Sequence, residues 1–242
     1  MDKYCDTSKL SIRQIDKPTA KKMVVKYHYS KLWTKCSVAL GLFIDTGKEH
    51  SFFDEAEEKM IGVIVYGDPI GRLTWQSISD EIKRKEVLEL TRLFIHDGYG
   101  SNIESWFISQ SFNWLRKNKP EIKALISYAD PGANHKGIIY RASNWLYQGN
   151  DIGMGDAYMY RYPNTNNWLS DRAIGEQLGT NGLRGVLDKI PDMEYKKKLR
   201  KHRYLYFLCS KGEKKQLINN LKHPIKEYVW LLWYIQDSNR TN

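Results

Sequence analysis

Short apolar runs alternate with longer amphipathic stretches along this chain. An apolar run bounded by polar or glycine-containing segments is typical of a buried strand, whereas apolar residues three or four positions apart indicate a helix with one buried face. The apolar runs predict strands at residues 10–15, 37–45, 60–66, 88–95, 124–130, 156–162 and 201–209.

Helical spacing and capping signals predict the connecting elements. Asp16 suits an N-cap position, and Pro18 suits the first turn of the helix that follows. Pro120 ends a second helical pattern. Helices are predicted at residues 17–29, 103–117 and 135–147, with shorter helical pieces at 79–86, 170–179 and 182–190.

This order of elements predicts an α/β fold with a central mixed β-sheet flanked by helices on both faces. A single domain is expected over residues 1–242. Its core comprises about residues 10–162 and the strand at about 201–209. Residues 163–200 read as a helical insertion, and residues 210–242 as a basic C-terminal extension.

The net charge of +10 is unevenly distributed. Residues 194–242 hold 12 Lys and Arg against 4 Asp and Glu, and residues 1–48 hold 10 against 4. Basic ends around a mildly acidic centre favour an anionic partner, with nucleic acid as the first candidate, over a merely solvated surface. The 16 Tyr and 8 Trp suit a site that stacks on a flat group.

The cysteines and the N-terminal sequence bear on the compartment. Cys5, Cys36 and Cys209 are far apart and follow no disulfide or metal-ligand spacing, so a reducing, cytoplasmic location is expected. The first residues lack the apolar run of a signal peptide, and no stretch approaches the ~20 apolar residues of a membrane span. We therefore expect no membrane partner, and the apolar run at 228–235 is expected to pack.

A glycine-containing turn joins the predicted strand at 88–95 to the helix at 103–117. Gly98 and Gly100 allow backbone amides to approach a phosphate, and the helix start carries Ser101, Asn102 and Ser105. A plain strand-to-helix turn is the alternative interpretation. The hydroxyl and amide side chains at this helix start favour a phosphate-bearing ligand.

Three polar residues in predicted strands are further site candidates. Asp130 ends a buried strand where a crevice opens, so it is a candidate general base, with a turn or N-cap role as the alternative. Ser127 lies on the opposite face of that strand and serves a different role or packs. Arg92 lies in an apolar strand and needs a partner across the sheet or a phosphate. Strict alternation places Glu89 on the face opposite Arg92, and Leu90 on the same face.

Five runs of the sequence resemble one known family. They are HYS at 28–30, ELTRLFI at 89–95, SWFIS at 105–109, ISYADP at 126–131 and the pattern HxGxIYxASNWLYxG at 135–149. The order of strand, glycine turn, helix and strand is similar to that of GNAT-type acyltransferases. The combination of runs resembles the phage Mom DNA-modification family, a divergent GNAT relative, over most of residues 24–162.

The resemblance implies a DNA-modifying transferase that converts adenine in phage DNA to an N6-carbamoylmethyl form and so protects the genome from host restriction. It implies double-stranded DNA as the partner, with the target adenine flipped out of the helix. It implies acetyl-CoA or a related acyl donor, held by Gly98, Gly100, Ser101, Asn102 and Ser105. A tyrosine that protonates the leaving group in GNAT relatives corresponds to Tyr140, and Tyr147 shares its predicted helical face.

His28 and Tyr29 end the first predicted helix, which borders the acceptor in the fold that the resemblance implies. They are expected to hold the base or to ligate a metal. Together with Asp130 they offer nitrogen and oxygen ligands for iron, which the resemblance suggests as a second cofactor. Two other functions stay open: an ordinary N-acetyltransferase acting on a protein or small amine, and a DNA-binding protein without catalytic activity.

Overall fold

A computed structural model describes residues 4–46, 58–135, 137–152 and 157–227. The described residues form two compact units. The larger contains those up to 128, from 137 to 148 and from 203 onward, and the smaller contains those from 129 to 136 and from 149 to 202. In these described ranges no helix is long and apolar enough to cross a membrane. The apolar run predicted to pack at 228–235 lies outside them.

Ten strands and six α-helices make up the described chain. The strands are β1 Leu10–Gln14, β2 Val38–Asp45, β3 Glu58–Gly67, β4 Val87–Ile95, β5 Ala124–Ala129, β6 Leu146–Gly149, β7 Tyr158–Arg161, β8 Leu169–Ser170, β9 Glu194–Lys197 and β10 His202–Phe207. The helices are α1 Lys17–Tyr27, α2 Ile103–Asn118, α3 Ile138–Ala142, α4 Asp171–Leu178, α5 Leu183–Lys189 and α6 Lys211–Asn219.

A seven-stranded sheet forms the centre of the larger unit, in the order β1-β2-β3-β4-β5-β10-β6. The first four strands pair antiparallel, and β4 pairs parallel with β5. The parallel pair is joined by a crossover through α2, as parallel strands require. The predicted α/β class with a mixed sheet is therefore confirmed.

Helices cover both faces of this sheet. Asp16 caps α1 by accepting a hydrogen bond from Thr19 N at 2.8 Å, and α1 buries Val24 in one cluster with Val65 of β3. On the opposite face, the hydroxyl of Tyr66 lies 2.6 Å from Ser111 Oγ of α2. Because successive strand residues point to opposite faces, α1 and α2 lie on different sides of the sheet, as predicted.

The smaller unit has its own sheet and core. Its three strands lie in the order β8-β7-β9, and all pairs are antiparallel. Tyr160, Ile174, Val186 and Met193 form a buried cluster beneath α4 and α5. The two helical pieces predicted at 170–179 and 182–190 are therefore confirmed. The sequence assigned β7 to the core at 10–162, but in the structure β7 pairs with β8 and β9, which come from residues 163–200. The assignment of the whole chain to a single domain stays a prediction.

The helix predicted from His135 to Tyr147 is wrong for most of its length. Only α3 is helical, and the chain turns at Asn144, which has a φ of 60°. Tyr147 then lies in strand β6. The turn is closed by a hydrogen bond from Trp145 N to Tyr140 O at 2.9 Å. Because asparagine tolerates the left-handed conformation, Asn144 ends the helix where periodicity alone predicted continuation.

The short helix predicted at 79–86 is also largely absent. Only Arg84–Glu86 form a 3₁₀ turn, which leads directly into β4. The Glu86 carboxylate accepts a hydrogen bond from Lys83 N at 2.7 Å and thereby fixes this entry.

Candidate active site

The site begins at a β-bulge in β4. Val65 pairs with Arg92 and Tyr66 pairs with Leu90, so Thr91 is the additional residue. The Thr91 hydroxyl donates to Val65 O at 3.1 Å and holds the bulge in place. A bulge shifts the alternation of side chains by one position. The residues before Thr91 therefore point to the face of the sheet opposite to the one that strict alternation predicts.

The bulge places Glu89 and Arg92 on the same face of the sheet, because both pair with residues of β3, Gly67 and Val65, that share one face. The sequence-based assignment of Glu89 to the opposite face, and of Leu90 to the Arg92 face, is therefore wrong. Glu89 is buried, and its carboxylate accepts a hydrogen bond from Ile70 N at 2.8 Å.

Arg92 is held mainly by backbone carbonyls. Its Nε donates to Leu32 O at 3.0 Å, and its Nη1 donates to Thr91 O at 2.6 Å. Burial lowers the pKa of Arg92, while electrostatic interaction with Tyr29 and with Glu89 acts in the opposite direction. Arg92 therefore carries its positive charge beside Glu89 and within electrostatic reach of Tyr29.

Strands β4 and β5 pair only from Val87 to Glu89. Beyond that point the Ser127 hydroxyl takes the place of a ladder bond, since it donates to Leu90 O at 2.9 Å. The Tyr140 hydroxyl lies 2.7 Å from the same Ser127 oxygen. With the Ser127 proton on the Leu90 carbonyl, Tyr140 is the donor in its own bond to Ser127.

Tyr140 remains protonated far above neutral pH. Burial raises the pKa of Tyr140 to about 12, the hydrogen bond with Ser127 lowers it in part, and the charges of Tyr29 and Glu89 raise it further. Its ring stacks on Tyr204 with centroids 4.6 Å apart and meets Trp145 edge-on at 5.3 Å. The phenol is therefore fixed in position by rings on two sides.

The absence of a side chain at Gly137 leaves room for the Tyr204 ring. Gly137 has a φ of +74°, and a Cβ there would lie 2.0 Å from the Tyr204 hydroxyl. Tyr147 of β6 also reaches the Tyr204 ring, at 5.4 Å between centroids. Tyr140 and Tyr147 thus meet through a shared neighbour, although they do not share a helix.

His28 and Tyr29 follow the end of α1, as predicted. His28 is buried, and its Nδ1 accepts a hydrogen bond from Ser30 N at 3.1 Å, so the neutral ring carries its proton on Nε2. The Tyr29 ring lies 4.3 Å from the His28 ring and is 57% exposed. Electrostatic interaction with Tyr29 raises the pKa of Arg92 and the pKa of Tyr140, so Tyr29 lies within electrostatic reach of both residues.

Asp130 belongs to the smaller unit and makes local contacts there. Its Oδ1 accepts a hydrogen bond from Gly132 N at 2.9 Å as the N-cap of a 3₁₀ turn over Pro131–Ala133. Its Oδ2 lies 3.4 Å from Lys201 Nζ. These are the contacts of the turn role that sequence analysis kept as the alternative, and the catalytic role of Asp130 stays a prediction.

The predicted iron site finds no support. Nowhere in the described ranges do three or more His, Cys, Asp or Glu side chains form a group able to hold a metal ion. His28 Nδ1 and both carboxylate oxygens of Asp130 are engaged by protein donors. The described residues therefore do not support iron as a second cofactor.

The predicted donor turn has the expected backbone. Gly98, Gly100 and Asn102 have φ values of 93°, 98° and 67°, which bring the chain into the start of α2. Ser101, Asn102 and Ser105 line a cavity of about 290 Å³ together with residues of α2, Ala142 and the N-terminal segment, namely Trp106, Ser109, Tyr4, Cys5 and Thr7. The N-terminal amides of α2 suit a phosphate-bearing group, whereas the Ser105 hydroxyl donates to Asn102 O at 3.0 Å and the Ser109 hydroxyl to Ser105 O at 2.8 Å. The two glycines shape the turn but do not line the cavity.

Glu89 is the residue of this site that sequence reasoning missed. The structure brings it together with Arg92, Tyr29, Ser127 and Tyr140 in the larger unit, around the point where β4 and β5 separate. The arrangement offers a protonated phenol and a buried carboxylate that lie on opposite faces of the sheet but within electrostatic reach of one another. It can therefore donate a proton from one group and accept one at the other.

Comparison with known proteins shows the family. A profile of the Mom protein family matches residues 9–229. The chain is 24% identical to the methylcarbamoylase mom of Escherichia phage Mu over 211 residues, which are 86% of this chain and 80% of that protein.

Two N-acetyltransferases are among the solved structures that are similar to this chain. An N-acetyltransferase from Staphylococcus aureus has a TM-score of 0.41 at 11% identity, covering 82% of this chain and 97% of that one. A spermidine N-acetyltransferase from Vibrio cholerae has a TM-score of 0.43 at 6% identity, covering 83% and 95%. The family profile extends over most of the described chain, including β4, α2 and α3. The chain therefore belongs to the Mom protein family.

Proposed function

We propose that this chain is a transferase that converts adenine in double-stranded phage DNA to N6-carbamoylmethyladenine and thereby protects the genome from restriction. The observation that carries the proposal is the match to the Mom protein family over residues 9–229, together with the name methylcarbamoylase of the phage Mu relative. The buried acid and base groups around the β4 bulge supply the chemistry that such a transfer needs.

Proton transfer is assigned to two residues. Attack by the adenine N6 on the donor carbon forms the new bond, and N6 must then lose a proton, which we assign to the buried Glu89 carboxylate. The leaving group needs a proton, which we assign to Tyr140, since burial keeps its pKa at about 12 and the phenol stays protonated. Ser127 holds the Tyr140 oxygen, and Arg92 balances the charge of Glu89.

The donor is proposed to be a phosphate-bearing, CoA-like compound that carries a carbamoylmethyl group, with the leaving group bonded to the methylene carbon. Ser101, Asn102, Ser105 and the first amides of α2 would hold its phosphates, because they line one cavity. Simple acetyl transfer to N6 yields an amide, whereas an N6-carbamoylmethyl group has a methylene carbon on N6. N6 must therefore bond to the methylene carbon of the donor, and the bond from that carbon to the leaving group breaks as the leaving group takes the proton from Tyr140.

DNA contact is proposed for the basic stretch at the end of the smaller unit. Lys196, Lys197, Lys198 and Lys201 are exposed there, and exposed lysines neutralise backbone phosphates. Trp168 lies beside this stretch, with Lys196 Nζ 4.2 Å from its ring centroid. A flipped adenine would be enclosed by aromatic side chains, as base-modifying enzymes require.

The test is co-expression with a plasmid, followed by digestion and mass spectrometry of the nucleosides. We expect an adenine nucleoside heavier by a carbamoylmethyl group in cells with the wild-type protein. Glu89→Gln keeps an acceptor for Ile70 N but removes the base, so the new nucleoside should nearly disappear. Glu86→Gln, three residues earlier, is the matched control and should modify DNA normally.

Two results would contradict the proposed function, and a third would contradict only the role of Glu89. Unmodified plasmid DNA with tight DNA binding would indicate a binding protein without catalysis. Acetylation of a polyamine or peptide in the absence of DNA would indicate an ordinary N-acetyltransferase. Full modification by Glu89→Gln would remove Glu89 from the mechanism while leaving the reaction in place.

A further inference from the structure

A buried arginine in β10 lacks the anionic partner that such a residue needs. Arg203 is 4% exposed, and its Nε has no hydrogen-bond partner among the described residues. In the part of the chain that the structure describes, its hydrogen bond is from Nη2 to Ser77 O, at 3.5 Å. No described carboxylate forms an ion pair with it. A buried guanidinium without a carboxylate or a full set of acceptors is strongly disfavoured, so its retention calls for an explanation.

The surroundings of Arg203 do not provide the missing charge. On the same face of β10, Leu205 and Phe207 belong to an apolar cluster. Burial lowers the pKa of Arg203, and the main electrostatic interaction that opposes this effect comes from Tyr128. Tyr128 is a phenol and does not carry the compensating negative charge at neutral pH.

Tyr128 contributes a second donor to the same place. Burial raises the pKa of Tyr128, the charge of Arg203 lowers it, and the charge of Glu89 raises it. At neutral pH the Tyr128 phenol is protonated, so its O–H can donate to an acceptor. Two donors, one of them charged, are thus present where the described residues supply only the distant Ser77 carbonyl as an acceptor.

The neighbours of Arg203 are partly exposed. Tyr128, Thr74 and Ser77 are all half-buried, whereas Arg203 is buried. Such an arrangement suits a terminal oxyanion, because a planar guanidinium binds carboxylate and phosphate oxygens in pairs.

We propose that Arg203 and Tyr128 form a binding site for the carboxylate or phosphate oxyanion of a ligand. The site is distinct from the cavity at the start of α2 and uses neither Glu89 nor Tyr140. It goes beyond the proposed DNA modification, since oxyanion binding is measured without any reaction. A protein that binds the anion but leaves DNA unmodified would uphold this site and refute the proposed function.

The experiment measures binding of inorganic phosphate by isothermal titration calorimetry and by thermal unfolding at constant ionic strength. We expect saturable binding and a rising Tm in the wild-type protein. Arg203→Met should lose one phosphate-binding site per chain and the part of the Tm increase that belongs to it, whereas binding in the cavity at the start of α2 should remain. Tyr128→Phe should weaken binding at least about tenfold, since it removes one hydrogen bond to a charged group.

Arg116→Met is the matched control, because Arg116 also donates from Nε to a backbone carbonyl, Leu208 O at 3.2 Å, but is exposed. This variant should bind phosphate like the wild type. Equal phosphate effects in the wild type and Arg203→Met would overturn the site. If Arg203→Met fails to fold, Tyr128→Phe decides, since it preserves the ring, and unchanged binding in it would overturn the site equally.

Competition identifies the source of the oxyanion. Displacement of phosphate by a deoxydinucleotide with one phosphodiester would assign the site to the nucleic-acid backbone. Displacement by acetate but not by the dinucleotide would assign it to the carboxylate of a small ligand. Displacement by neither would assign it to a terminal phosphate group.

Discussion

Replacing Tyr140 by Phe separates the catalytic role of its hydroxyl from its structural role. The substitution removes only the oxygen that lies 2.7 Å from Ser127 Oγ. Ser127 keeps the Leu90 carbonyl as its acceptor, so the variant leaves no unpaired donor at Ser127. The loss in stability is therefore that of a single hydrogen bond, about 0.5–1.5 kcal/mol. For a chain of this size, each kcal/mol lowers Tm by about 2–4 °C.

The expected loss of activity is much larger. Removal of a general acid slows a reaction by about 10²- to 10⁴-fold. That range corresponds to about 3–5 kcal/mol in the activation free energy, at about 1.36 kcal/mol for each factor of ten. The measurement is the initial rate of adenine modification by nucleoside mass spectrometry, with circular dichroism following thermal unfolding of the same preparation.

The chain contains a matched control for this substitution. Tyr66 is fully buried, and its hydroxyl lies 2.6 Å from Ser111 Oγ, which itself donates to Ile108 O. Tyr66→Phe therefore breaks the same kind of tyrosine–serine hydrogen bond and should cost similar stability without a comparable loss of rate. Equal rates for the two variants would show that Tyr140 has only a structural role.

Three other predictions test the packing, the titration and the DNA contact. Because the folded-state pKa of Tyr140 is raised to about 12, its contribution to stability is complete below about pH 10 and is lost as pH rises from 10 to 12, by about 1.4 kcal/mol per pH unit. The free energy of unfolding should therefore fall less steeply with pH above pH 10 in Tyr140→Phe than in the wild type, and an equal slope would contradict the raised pKa of Tyr140. Gly137→Ala should destabilise more than Gly98→Ala in thermal unfolding, because both have positive φ but only the former meets another atom, the Tyr204 hydroxyl; equal losses would show that the clash is relieved. Changing the lysines at 196–198 to Gln should reduce the slope of log K against log salt for duplex DNA by about 0.9 for each phosphate that the variant no longer neutralises, and an unaltered slope would exclude this stretch from the interface.

Most strands and the longer helices were predictable because the apolar residues that define their sequence pattern are also the residues that they bury in the fold. Asp16 caps α1, and the periodic stretch before Pro120 forms α2, since capping and periodicity act through neighbours in sequence. The failure at 135–147 has a local cause. Asn144 adopts a left-handed conformation, and the Trp, Leu and Tyr that follow favour a strand. The sequence contains this signal, but the apolar residues on both sides of Asn144 also have helical spacing.

The bulge at Thr91 could not be predicted from alternation. Whether a strand holds an additional residue depends on the partner strand, here on how Val65 and Tyr66 pair with β4. A one-residue shift reverses every face assignment beyond it. For this reason strict alternation places Glu89 on the wrong face of the sheet. The sequence does not single out Arg203 either, because its lack of a charged partner among the described residues is visible only when its neighbours are known.

The proposed acid and the proposed base lie on different faces of the sheet. Ser127 and Tyr140 meet where β4 and β5 separate, whereas the bulge turns Glu89 and Arg92 toward the side that α1 covers. The charge of Glu89 raises the pKa of Tyr140, so an ionised base favours the protonated acid. The proposed reaction needs an ionised carboxylate to accept the proton from N6 and a protonated phenol to donate a proton to the leaving group. Glu89 and Tyr140 are in these two states. Loss of the Glu89 charge should therefore lower the pKa of Tyr140, and an unchanged Tyr140 titration in Glu89→Gln, followed by ultraviolet absorbance, would show that the two groups act independently.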